Sequence, residues 1–105
     1  MEFYLRRGLR SDAYTSTLKQ NLQRSNLILR KYSFVTRLVF SSGSNNEVIG
    51  VEYERHGKTY VAKARRETVL CAGVLSTPKI LMLSGIGPKR DLAELNVSAR
   101  FESNI

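Results

Sequence analysis

Cysteine and histidine are nearly missing from this 105-residue chain: Cys71 and His56 are the only examples of each. One cysteine excludes a disulfide within the chain, and the pair together excludes the Cys/His clusters that hold structural zinc. No apolar run approaches the roughly 20 residues that a membrane-crossing helix needs. A strand followed by GxGxxG is absent too. The near match, Gly85-Ile86-Gly87, has Arg90 in the third glycine place and an expected helix ahead of it rather than a strand. Acidic residues are scarce, with nine Asp and Glu against seventeen Lys and Arg, a formal charge of +8. That excess is what a nucleic-acid binder carries. Here, however, the basic residues are spread from Arg6 to Arg100, and no aromatic residues interleave with them as a base-stacking surface requires. Solvated faces, or faces turned toward acidic segments of a partner, account for the charge.

What is present reads as an ordinary packed domain or part of one, with 42% hydrophobic and 25% charged residues. Ser11 or Asp12 can cap a short helix running through Leu18 toward Leu22. Asn26 to Arg30 reads as a short strand. Tyr32 to Ser41 then alternates with the period of two that a sheet requires, Phe34, Thr36, Leu38 and Phe40 on one side and Val35, Arg37 and Val39 on the other. A turn over residues 42–46 leads to a strand from Glu47 to Arg55, and His56-Gly57 makes a hairpin into a strand from Lys58 to Arg65. Val69 to Cys71 reads as a last strand, in which Cys71 is a small buried side chain and not a nucleophile, since no base lies nearby. The class inferred from this order is α+β: an antiparallel strand meander with flanking helices.

The richest stretch is Val69 to Pro88. Gly73 frees the backbone after the apolar run, Thr77 can cap a helix with Pro78 in its first turn, and Gly85 sits where a helix stops. Pro88 opens a second short helix whose Leu92 and Leu95 share a face, with Asn96 to end it. A chain that passes through a glycine into a helix N-terminus gathers backbone amides and the positive end of the dipole at one spot, which suits a nucleotide phosphate.

The order of these residues, Gly73, Thr77-Pro78, Ile80-Leu81 and Ser84-Gly85-Ile86-Gly87, resembles the second signature of the glucose-methanol-choline family of FAD-dependent oxidoreductases. Val74 departs from it, standing where the family has Ala, Ser, Thr or Pro, and a branched side chain there would crowd a cofactor. Val35-Thr36-Arg37-Leu38 and Gly50-Val51-Glu52 resemble the family's preceding strands. The resemblance implies an internal segment, residues 1–105, of a larger FAD-binding fold. It implies that the Val35 backbone bonds the adenine of FAD, and that Ala72 and Gly73 lie against the cofactor's ADP half. By itself Val35 reads as a buried strand residue, and both roles are compatible because the contact uses main chain. The implied reaction is oxidation of CH-OH groups of small alcohols or sugars, with hydride transfer to the flavin. The family's GxGxxG unit and its catalytic His-His or His-Asn pair do not occur within these residues. No catalytic or metal-binding residue is therefore assigned, and the chain alone is expected to be inactive. A degenerate, non-catalytic interaction protein and a small basic nucleic-acid binder are the alternatives.

Overall fold

The computed structural model describes residues 5–6, 8–43 and 47–102. It divides into two compact units, Met1–Lys31 and Tyr32–Ile105. In the first, β1 (Leu5–Arg6) pairs with β2 (Leu9–Arg10) in a two-residue antiparallel ladder. A π-helical turn over Tyr14–Leu18, in which Lys19 N–H reaches the Tyr14 carbonyl, then runs into α1 (Lys19–Asn21). Asp12 holds the entrance. Its Oδ1 accepts from Thr15 N–H at 2.8 Å while Thr15 Oγ1 accepts from Asp12 N–H at 3.1 Å, a reciprocal cap of the kind that satisfies orphan helix-end donors. The Thr15 N–H, and then the Thr15 hydroxyl, which also donates to Oδ1, hold the Asp12 carboxyl below its ordinary pKa. The strand expected over residues 26–30 is not formed. Leu27, Ile28 and Leu29 are exposed, and among the described residues no strand pairs with them, so the apolar run has no ladder to join.

The second unit is built on an antiparallel meander of β3 (Phe34–Phe40), β4 (Val48–Arg55) and β5 (Lys58–Lys63), in that order. The fold class is thus α+β, as the pattern implied. The β4–β5 connection is a two-residue turn in which His56 and Gly57 both take positive φ, 50° and 71°, the mirror-image turn that matches strand twist. β3 is shorter than the alternation predicts, because Tyr32 lies in the left-handed region at φ 55° and ends the extended run. Nor does a single alternation hold along it. Val35 pairs with Tyr53 and Arg37 with Glu52, so Thr36 is an extra residue on β3, a bulge that reverses the phase of the residues on either side.

α2 (Gly73–Leu83) packs on β3. The join is Ser84, buried at 6% exposure, whose Oγ accepts from Leu38 N–H at 2.8 Å and donates to the Ile80 carbonyl. The described core consists of Leu38, Tyr53, Ile80 and Leu92. β6 (Ile86–Gly87) pairs in parallel with β7 (Phe101–Glu102), and between them lies α3 (Lys89–Glu94). Leu92 is the fully buried residue of α3, but Leu95, expected to share its face, is 55% exposed because the helix has ended by then and Asn96 turns left-handed.

Two further expectations are corrected by α2 and the residues before it. Val69 to Cys71 form no strand, and Cys71 is exposed rather than buried. The helix also begins at Gly73, not at Pro78. Pro78 removes only the hydrogen bond to the Val74 carbonyl, and Val74 stands 88% exposed, where water can take that acceptor. Thr77, inside the helix, turns its Oγ1 back to accept from Ala72 N–H at 3.1 Å.

Candidate functional site

The bulge at Thr36 decides what β3 offers on its free side. Along a strand the main-chain groups point alternately to one edge and the other. Leu38 points outward, because its N–H reaches Ser84 on α2 and not β4. Stepping back through the extra residue at Thr36 puts Val35 on that same outer edge. Without the bulge, Val35 would spend its peptide groups on β4.

The bulge is held in place from both sides of the ladder. Glu52 accepts from Arg37 through Nε at 3.1 Å and Nη2 at 2.8 Å, and from Thr36 Oγ1 at 2.9 Å. The Arg37 guanidinium, with help from the Thr36 hydroxyl, holds the Glu52 carboxyl below its ordinary pKa, and Glu52 in turn raises that of Arg37.

Outside this edge lies a cleft of about 560 Å³. Ser33, Phe34 and Val35 of the β3 side, the segment Thr68 to Ala72, and Ser76, Lys79, Ile80 and Leu83 of α2 line it, with Val51 behind. Its volume is in the range of small-ligand pockets. The Lys79 ammonium lies 5.8 Å from the centre of the exposed Phe34 ring. Of the residues singled out in the sequence, Val35 and Ala72 share this cleft. Gly73 is the next residue, at φ 90°, a conformation that favours glycine, and a Cβ built on it would meet nothing within 4 Å. The space beside it is open. Val74, the departure from the family pattern, is 88% exposed and is not among the residues that line the cleft.

Sequence reasoning did not single out Thr68, Lys79 or Phe34. Lys79 is the one charged residue of α2, and this is the signal that could have drawn attention to it. Thr68 Oγ1 is buried with no hydrogen-bond partner among the described residues. The cleft combines apolar walls with an outward main-chain edge at Val35, and open backbone lies next to it at the N-terminus of α2, a combination that suits a flat ring bearing an anionic group. Among the described residues no group of His, Cys, Asp and Glu could hold a metal ion, and no helix is long and apolar enough to cross a membrane.

Residues 1–103 match the family model described as GMC oxidoreductase. An uncharacterised GMC-type oxidoreductase of Mycobacterium tuberculosis is 39% identical over 98 residues, 93% of this chain and 18% of that protein. An oxygen-dependent choline dehydrogenase of Rhizobium etli is 39% identical over 100 residues, 95% of this chain and again 18% of its relative. Among solved structures, an FAD-dependent oxidoreductase from Chaetomium thermophilum superposes with a TM-score of 0.81 at 33% identity, over 90% of this chain and 16% of the other. The chain therefore spans less than a fifth of the length of these relatives.

Proposed function

Because this chain belongs to the GMC oxidoreductase family, we propose that it forms the adenosine-binding segment of an FAD-dependent oxidoreductase that acts on the CH-OH group of a small alcohol or sugar. The observation that carries the reading is the cleft that joins Val35 on the outer edge of β3 to Ala72 and the open backbone of Gly73 at the start of α2. In this reading the Val35 peptide holds the adenine edge. Val51, Ile80 and Leu83 exclude water from the ring faces, and the free amides of the first turn of α2 face the phosphates of the ADP half. When bound, FAD supplies the acceptor for hydride leaving the alcohol carbon. The chain's own residues bind and orient, and none is assigned to move the substrate proton. The chain by itself is accordingly inactive, since neither the phosphate-binding GxGxxG unit nor a histidine pair lies within it.

The test is to purify the natural polypeptide that carries this sequence, at whatever length its transcript encodes, from a flavin-rich host. FAD near one per chain, bleached anaerobically by an alcohol or sugar, is expected. A polypeptide that carries no FAD contradicts the proposal and favours the non-catalytic interaction protein.

A further inference from the structure

A heterocycle that hydrogen-bonds the outward main chain of a strand lies beside that strand much as a further strand would, because main-chain hydrogen bonds run in the plane of the sheet. Its two faces are then turned the way the side chains of the strand point. At this edge of β3 those side chains belong to Phe34 and Val35, consecutive residues in regular pairing with Glu54 and Tyr53 and so on opposite faces. Both line the cleft, and of the residues that line it Phe34 alone is aromatic.

The Phe34 ring is also open to a partner. Tyr53 and Tyr60 stack on each other with centroids 5.5 Å apart, and the Arg100 guanidinium lies 4.7 Å from the centre of the Phe40 ring. Phe34, by contrast, is 63% exposed, and the Lys79 ammonium stands 5.8 Å from its ring centre. That is close to the outer limit of about 6 Å for a cation–π contact. An exposed contact of this length is weak, and a purine face laid against the ring outweighs it. An accessible aromatic ring on a cleft wall, next to an outward peptide group, supplies what a base needs in order to be stacked and edge-bonded at once.

We propose that Phe34 is a further cofactor-binding residue, its ring stacking on one face of the adenine of FAD while the Val35 main chain holds the purine's edge. The inference rests on the adenosine-binding reading above and adds an aromatic side chain to a contact made there by main chain. Phe34 is a binding residue only; it is given no part in the chemistry.

The experiment measures by calorimetry the affinity of the natural polypeptide, stripped of flavin, for FAD and separately for ADP, in wild type, Phe34→Leu and Phe34→Tyr. Leucine keeps an apolar side chain and removes the aromatic face, whereas tyrosine keeps the face. The expected result is about a tenfold weaker affinity for both FAD and ADP in Phe34→Leu and a change of less than about twofold in Phe34→Tyr. If Phe34→Leu does not fold, Phe34→Val is measured in its place against the same expectation. Unchanged FAD affinity in the variant lacking the ring overturns the inference, as does a loss for FAD with none for ADP, or an equal loss in Phe34→Tyr. Wild type that fails to bind either compound overturns instead the reading on which the inference rests.

Discussion

Ser84 shows how much one side chain can settle in this structure. Its hydroxyl takes the Leu38 N–H at the outer edge of β3 and gives its own proton to Ile80, so a single buried atom fixes both the end of α2 and the distance of that helix from the sheet. Replacing it with alanine leaves the Leu38 donor buried and unpaired. Ser84→Ala is expected to cost about 1–3 kcal/mol of stability, read from denaturant unfolding of the natural polypeptide, whereas Ser84→Thr retains the hydroxyl and loses less of the hydrogen-bond energy. Gly50 is constrained for a different reason. A Cβ on it would stand 2.1 Å from the Ala62 carbonyl oxygen, so the β4–β5 pair tolerates no side chain there.

At the scale of elements, the β3–β4 pair carries both the bulge and the ion pair that clamps it. The Glu52 carboxyl is held below its ordinary pKa of 4.5, chiefly by Arg37 and then by Thr36. A depressed folded-state pKa means that the unfolded chain takes up the proton first on acidification. The contribution of Glu52 is therefore complete above pH 4.5 and is lost as pH falls through the lower folded-state value. Thermal unfolding from pH 6 down to pH 3 is expected to show a stability loss that is shallower in Glu52→Gln, and identical slopes in the two proteins would contradict this assignment. The three-stranded meander and its β4–β5 turn were legible in the sequence because the period-two pattern and His56-Gly57 are local signals, whereas residues 44–46 of the turn expected over 42–46 lie outside the described residues. The bulge was not. Nothing in Val35-Thr36-Arg37 marks an extra residue, since the register depends on Glu52, sixteen residues beyond Thr36. The same limit explains the missing strands at 26–30 and 69–71: an apolar run specifies extended structure only where another strand pairs with it. In α2, Thr77-Pro78 read as a helix start, but the turn at Gly73 had already aligned the preceding residues, and Thr77 serves that earlier start from within. Of the candidate site, Val35, Ala72 and Gly73 were reachable through their order in the chain. The cleft itself depends on how α2 folds back on β3.

For the whole molecule, the scarcity of core is informative. Val69, Val74 and Leu75 are 71%, 88% and 82% exposed, and all of β5 is exposed. Apolar side chains displayed to this degree are surfaces that neighbouring protein can cover, in keeping with relatives in which the matching segment is only 18% of the length. The central claim, that this segment cradles the adenosine half of FAD between β3 and the start of α2, is tested most directly by an experimental structure of the natural polypeptide loaded with FAD. The adenine is expected in the cleft, its polar edge within hydrogen-bond distance of the Val35 main chain and the ADP half passing Ala72 and Gly73. Adenosine bound elsewhere, with the space between Val35 and Ala72 filled by protein side chains, would contradict the account.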